Sequence, residues 1–277
     1  MVRNFKKPGS ALILQKPFLF SRPFSSVHII NYNGQLVRAD APHFSLSNRA
    51  LRYGDGLFET LRWTDGTIPL WPYHVERLTS GLRALHLEVP DIENVSMYFL
   101  REISRLALGA GSYRIRLIVF RAGGGTYAPE TDRCEWVVEA RKIDDVGGEM
   151  RCQIYEEHRL APHPLSRFKT INALPYVLAA REARRRGLDD LILLNTNGLP
   201  VESTSCGLAV QQGTQLIAPP IDAGGVLSTY LRYLEDEGAA ARGWTFERRA
   251  FSVEELLASD RIWLCNAVAG MRLVTMV

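Results

Sequence analysis

Long hydrophobic runs are missing from this sequence: nowhere in its 277 residues do eighteen apolar side chains follow one another, so no single helix in it has the makings of a membrane span. Cysteine is scarce as well. The four present (Cys134, Cys152, Cys206 and Cys265) lie far apart and form no Cys-x-x-Cys pair, which excludes a disulfide framework and a zinc ribbon. That usage is what a reducing cytoplasm produces. Histidine offers no metal spacing either. His43, His74, His86, His158 and His163 show neither an i,i+4 pair nor His-Glu-x-x-His, so the expectation is no metal. Acid is absent from residues 1–39, which hold Arg3, Lys6, Lys7, Lys16, Arg22 and Arg38. The rest of the chain carries 27 basic against 30 acidic residues. The net charge of +3 therefore belongs to the first 39 residues, and the body offers no nucleic-acid footprint.

What is present describes a globular protein. Apolar residues make up 46% and charged residues 23%, and the length suffices for two domains with proper cores. Residues 1–26 read as a disordered or targeting-like leader, rich in Ser, Phe and basic residues, with Pro8, Pro17 and Pro23 breaking any amphipathic helix. Order is expected from residue 27. A strand at 27–32 turns at Asn33-Gly34 into 35–38, and a turn at Asp65-Gly66 joins strands at 58–63 and 67–71. Val75, Leu78, Leu82 and Leu85 then fall at helical spacing, so 73–87 reads as an amphipathic helix, followed by another over 92–108. Strands at 113–121 and 135–141 complete a first domain, 27–145. The polar, Gly-bearing stretch 142–149 is the expected boundary.

The second domain, 150–277, starts with a strand at 151–156, a Pro-rich loop at 161–168 and a helix at 172–187 closed by glycine. Strands at 190–195, 199–211 and 215–218 follow, then a helix at 226–237, a strand at 244–249, a short helix at 253–258 and a strand at 261–265. Strand-rich halves with interspersed helices indicate an α+β fold.

Few side chains stand out for chemistry. Lys169 sits where the Pro-rich loop meets a helix, a place where lysines are commonly just solvated. Strand alternation sets Glu202 with Pro200 and Thr204, opposite Leu199, Val201 and Ser203. An exposed carboxylate and one aimed at a cofactor's ring nitrogen are both compatible with that. Arg77 borders the apolar stripe of its helix, which suits either a snorkelling side chain or a phosphate ligand. Neither Gly54-Asp55-Gly56 nor the 123–125 glycines are followed by Gly-Lys-Ser/Thr, so neither is a nucleotide phosphate loop.

In order along the chain, these residues resemble one family. Residues 48–60, Asn-Arg-Ala-Leu-Arg-Tyr-Gly-Asp-Gly-Leu-Phe-Glu-Thr, are similar to the opening motif of the class IV (fold-type IV) pyridoxal-phosphate enzymes. Those include branched-chain and D-amino-acid aminotransferases and aminodeoxychorismate lyase. His74-Val75-Glu76-Arg77-Leu78, Lys169-Thr170-Ile171-Asn172 and the run from Leu193 to Glu202 resemble three further motifs. The resemblance implies an N-terminal α+β sandwich, a C-terminal β-barrel-like domain with helices, and pyridoxal 5'-phosphate between them in a homodimer. It implies Lys169 as the Schiff-base lysine and Glu202 at the pyridine nitrogen. Arg77, Tyr230, Leu231 and Ser205 would hold the rest of the cofactor, and Phe58, Asn266 and Ala267 would line the substrate pocket.

The sequence also departs from the pattern. Gly207 stands where an asparagine is common, and Thr229-Tyr230-Leu231-Arg232 replaces the usual Gly-Ile-Thr-Arg. Leu231, Leu174 in place of a tyrosine, and the segment Leu264-Cys265-Asn266-Ala267 lean toward the lyase, which forms p-aminobenzoate and pyruvate. An amino-acid aminotransferase using 2-oxoglutarate is the alternative, and a non-catalytic metabolite-binding homologue a third reading. Either enzyme needs the lysine's pKa brought from about 10.4 to about 7–8, which burial and neighbouring cations accomplish. The expected partner is a small amino substrate, in a cytoplasmic protein.

Overall fold

The computed structural model describes residues 28–41, 44–144 and 147–277. The expected leader at 1–26 and His43 lie outside the described residues. Two sheets organise the rest. The first begins with the hairpin β1 (Ile29–Tyr32) and β2 (Gln35–Arg38), closed by Asn33 and Gly34 at φ 51° and 85°. Two left-handed residues in succession match the twist of the paired strands. A one-turn helix α1 (Arg49–Tyr53), capped by the Asn48 side chain, leads into β3 (Gly56–Thr64). Helices α2 (Trp71–Ala84) and α3 (Val95–Ser104) precede β4 (Ser112–Arg121) and β5 (Cys134–Lys142).

The strands lie in the order β2-β1-β5-β4-β3, all antiparallel, which makes β3 an edge. One face carries Leu57, Leu61, Ile115, Leu117 and Val138 against Leu78, Leu82, Phe99 and Ile103 of the helices. Residues two apart share a face, so Phe58, Thr60 and Arg62 look the other way, toward the second sheet. Arg62 donates there to the carbonyl of Val268 at 2.9 Å.

That second sheet is a closed barrel. β6 (Met150–Leu160) and β7 (Asp190–Asn195) run parallel, so the chain crosses between them through helix α4 (Leu174–Arg185). β8 (Pro200–Ser203), β9 (Gly207–Gln212), β10 (Gln215–Ala218), α5 (Thr229–Tyr233), β11 (Thr245–Arg248), α6 (Val253–Leu257), β12 (Arg261–Asn266) and β13 (Gly270–Met276) follow. The ring runs β9-β12-β13-β6-β7-β8 and shuts where Glu202 pairs with Gly207. Its core is built from Met150, Cys152, Ile192, Leu208, Val210 and Leu264, among others. Every residue of β7 is buried, which is why Leu-Ile-Leu-Leu reads as a continuous apolar run rather than an alternating one. The α+β architecture, with a helix-backed sheet followed by a barrel, agrees with expectation.

Several elements differ from the sequence reading. Residues 67–71 form no strand: Thr67 bridges back to Thr64, Leu70 turns at φ 63°, and α2 starts at Trp71 with Pro72 in its first turn. Proline lacks the N–H that a strand needs, yet fits the first turn of a helix. The expected single strand at 199–211 is interrupted between β8 and β9. There the side chain of buried Asp190 gathers Thr204 N–H, Thr204 Oγ1, Ser203 Oγ and Ser205 Oγ, at 2.6–3.1 Å, and bends the chain. The helix expected over 226–237 is five residues of α5 continued by a π-helical turn at Leu234–Gly238. β13, a central barrel strand, was not expected.

Gly56 is where β3, β4 and the segment carrying Ile171 press together. A Cβ there would lie 2.5 Å from the Val119 carbonyl oxygen and 2.7 Å from Ile171 Cδ1, and backbone cannot withdraw cheaply. Gly56→Ala is therefore expected to destabilise the protein by about 1–3 kcal/mol. A urea midpoint equal to that of the wild type would contradict this close approach.

Candidate active site

Lys169 is placed by an edge. The segment after the Pro-rich loop adds to β3 as a short extra strand: Phe58 N–H donates to the Lys169 carbonyl at 2.8 Å, and Ile171 N–H to the Gly56 carbonyl at 3.0 Å. Leu57 and Thr170 form the antiparallel bridge between them. The Lys169 amine thereby lies 4.6 Å from the centroid of the Phe58 ring, and the Arg116 guanidinium 4.2 Å from the same centroid. Burial lowers the pKa of Lys169, and the charge of Arg77 lowers it further. Glu59 and Glu202 oppose them without overcoming them.

Glu202 lies on β8 where the barrel closes, so its carboxylate is buried rather than exposed on a strand face. Its Oε1 accepts from Tyr176 Oη at 2.7 Å and from Val226 N–H at 3.1 Å. Burial raises its pKa. The hydrogen bonds, Lys169 and Arg77 pull it down by less than burial lifts it. Lys169 and Glu202, 33 positions apart, are thus near enough for each charge to bear on the other.

Arg77 completes the group from α2. Its Nε and Nη2 donate to the two oxygens of Glu59 at 2.8 and 2.5 Å, and its Nη1 donates to the Leu227 carbonyl at 2.6 Å. Bidentate pairing of this kind fixes the guanidinium plane. His74, one helical turn earlier, has Nδ1 2.8 Å from Glu59 Oε2. Burial lowers the pKa of His74, so its ring is neutral with the proton on Nδ1, donating to the carboxylate. Burial also pushes Glu59 up, but the Arg77 charge and the hydrogen bonds from His74 and Arg77 prevail and bring it to about 2.

The remaining expected residues divide. Phe58 stands beside Lys169. Leu231 is buried and lines a small cavity with Glu202, Gly207, Ser228 and Arg248. Gly207 allows the start of α5 to lie against β9, since a Cβ there would be 2.7 Å from Ser228 Cβ and 2.8 Å from Leu231 Cδ1. Tyr230 faces away from that cavity. With Tyr73, Tyr233 and Ala267 it lines a cleft of about 600 Å³ between α2 and the β12–β13 hairpin. Asn266 caps the hairpin, accepting from Val268 and Ala269 N–H at 3.0 and 2.8 Å and donating to Cys206 Sγ at 3.1 Å. Ser205 is exposed, with its hydroxyl on Asp190.

Sequence reasoning did not single out Glu59, His74 or Tyr176. The first two lie inside quoted motifs, and alternation along β3 would have turned Glu59 toward α2. Tyr176 is two residues past Leu174, and no spacing signals its partner 26 positions on. Among the described residues no group of His, Cys, Asp and Glu could hold a metal ion.

The depressed Glu59 carboxyl sets a pH test. Its ion pair contributes fully above the ordinary unfolded value of about 4.3 and is lost as pH falls toward about 2. Glu59→Gln, which leaves Arg77 buried without its counter-charge, is expected to destabilise by about 3 kcal/mol at pH 7. The gap between variant and wild type narrows at pH 3 in urea denaturation. A gap of constant size would remove Glu59 as the anion that Arg77 depends on.

Known proteins share this fold. A family described as amino-transferase class IV matches residues 56–277. Aminodeoxychorismate lyase of Vibrio harveyi is 26% identical over 83% of this chain and 85% of its own. A bifunctional aminodeoxychorismate lyase / D-amino acid transaminase of Mycobacterium tuberculosis is 26% identical over 87% and 88%. The crystal structure of 4-amino-4-deoxychorismate lyase from Pseudomonas aeruginosa superposes with a TM-score of 0.77 at 29% identity, covering 89% of this chain and 90% of that one. The family model spans most of the chain, and the shared fold covers about nine-tenths of it: the chain belongs to the class IV aminotransferase family.

Proposed function

We propose that the chain holds pyridoxal 5'-phosphate between its two sheets and acts at the Cα of a small amino compound, releasing pyruvate from aminodeoxychorismate to leave p-aminobenzoate. One observation carries this. A lysine amine of lowered pKa, a buried carboxylate and an oriented arginine converge from a loop, a barrel strand and a helix. The donor set fits the cofactor: an amine for its aldehyde, a carboxylate for its ring nitrogen and a guanidinium for its phosphate. When bound, the cofactor supplies an electron sink for the pair left at Cα when a bond there breaks.

The protein's groups do the rest. The Lys169 amine, its pKa lowered by burial and by Arg77, takes the proton from Cα in its neutral form. Glu202 stabilises positive charge at the ring nitrogen. Arg77, clamped by Glu59, binds phosphate with the Nη1 that now rests on the Leu227 carbonyl. Leu231 borders the phosphate end, Tyr230 lines the cleft with Ala267 instead of contacting the cofactor as the resemblance implied, and Ser205 acts at one remove, through the turn that Asp190 holds. Phe58, Asn266 and Ala267 border the substrate.

The wider proposal is a cytoplasmic homodimer with domains at 27–145 and 150–277. Support for self-association comes from exposed Leu51 on α1 and exposed Leu174 and Val177 on α4. These two elements meet through the Asn172–Gly54 hydrogen bond. No helix among the described residues is long and apolar enough to cross a membrane. A second reading, transfer of the amino group from D-alanine or L-leucine to 2-oxoglutarate, is favoured by the relative whose name joins both activities.

The test has two parts. Protein purified with the cofactor is expected to show a visible absorption band that Lys169→Ala abolishes, and to form p-aminobenzoate and pyruvate from aminodeoxychorismate. Glutamate formed from 2-oxoglutarate without lyase products establishes the second reading instead. A colourless protein that ignores added cofactor leaves only a non-catalytic homologue.

A further inference from the structure

We propose that Tyr176 is a positioning residue for Glu202: its hydroxyl, together with the Val226 amide, fills Oε1 and reserves Oε2 for the ring nitrogen of the cofactor. The inference rests on the functional reading above and adds a residue to it. A carboxylate oxygen has two lone-pair directions, and both on Oε1 are taken, at 2.7 and 3.1 Å. Among the described residues no hydrogen bond reaches Oε2.

The donor is held by packing. Tyr176 lies in the first turn of α4, and Ala179 and Ala183 follow on the same face at helical spacing. Those alanines are buried against Tyr155, Leu191 and Leu193 of β6 and β7, with the Tyr176 ring packed against the same cluster. β7 is the strand that pairs with β8 and so carries Glu202. Donor and acceptor are therefore fixed to one rigid corner of the barrel. Leu174, two residues earlier, points outward and is 66% exposed, so it plays no such part.

Burial raises the phenol's pKa and the charge and hydrogen bond of Glu202 raise it further, so Tyr176 remains an O–H donor throughout the working range. The other charged groups bearing on Glu202 are Lys169, from the strand added to β3, and Arg77, from α2. Arg248 lines the same cavity but is occupied by Glu235 and the Pro219 carbonyl. Among the described residues only the phenol touches the carboxylate by a side-chain hydrogen bond, so its removal isolates one contribution.

Tyr176→Phe keeps the ring and deletes the donor. In the cofactor-free protein, isotope-edited infrared titration follows the protonated Glu202 carboxyl, assigned by its loss in Glu202→Gln. The midpoint is expected to rise by about one pH unit, the effect of one hydrogen bond to a charged acceptor. The dissociation constant for pyridoxal 5'-phosphate is expected to weaken about tenfold. A carboxyl midpoint that stays put, while the wild type binds the cofactor, overturns the proposal alone. A wild type that binds no cofactor overturns the functional reading and, with it, the reserved role of Oε2.

Discussion

The hydrogen bonds between the edge of β3 and residues 169–171 are what the site depends on. The sheet and the barrel have separate cores, and Lys169 belongs to neither. It comes from the loop that leaves β6 for the crossover helix, and loops hold a side chain only where something pins their backbone. Here the pin is the open edge of a sheet, whose unpaired N–H and C=O groups would otherwise invite another chain. Because β3 alternates, it serves the site twice. Phe58 meets Lys169 on one face, while Glu59 turns to the helix side and takes Arg77. The site wraps around an edge, which is how an arginine from the core-side helix and a carboxylate from the barrel reach the same amine.

The electrostatics follow from that geometry. Burial acts in opposite senses on the two titrating groups, lifting Glu202 and lowering Lys169. Both are thereby pushed toward their neutral forms, the usual outcome when a charge leaves water without full compensation. Glu59 is buried as deeply and behaves differently. A bidentate guanidinium and an imidazole N–H outweigh its desolvation, so it stays a fixed anion. The fold thus builds one permanent ion pair next to one pair whose protons respond to what enters. The permanent pair orients Arg77; the responsive pair is what the proposed function uses as base and ring-nitrogen partner.

Much of this was legible from the sequence, for identifiable reasons. Asn33-Gly34 marked a hairpin because left-handed residues are a local requirement, and the stripe Leu78–Leu82 marked α2 because helical period is local too. Residues 67–71 and 199–211 misled because alternation was read without its competitors. Prolines 69 and 72 favour a helix start over a strand, and Asp190 draws Thr204 and Ser205 out of the ladder just past Ser203. Lys169, Arg77 and Glu202 were found by motif, whereas Tyr176 and Asp190 were not. Their roles consist of contacts with residues 13 to 26 positions away, which neither propensity nor periodicity encodes. β13 escaped because only Val274 is fully buried along it, leaving little alternation to detect.

The departures from the family pattern also acquire a physical sense when taken together. Glycine at 207 and leucine at 231 look like two separate losses, one of an amide and one of a hydroxyl. Yet a Cβ on residue 207 would fall 2.8 Å from Leu231 Cδ1 and 2.7 Å from Ser228 Oγ. The bulk removed from β9 and the bulk added to α5 compete for one space, so each change makes room for or fills the other, as volume-conserving exchanges in a packed interior do. Reverting residue 207 alone to asparagine would force α5 off the barrel, and reverting residue 231 alone to threonine would open a gap beneath Ser228. What the pair preserves is the close approach of the start of α5 to the strand end that carries Glu202.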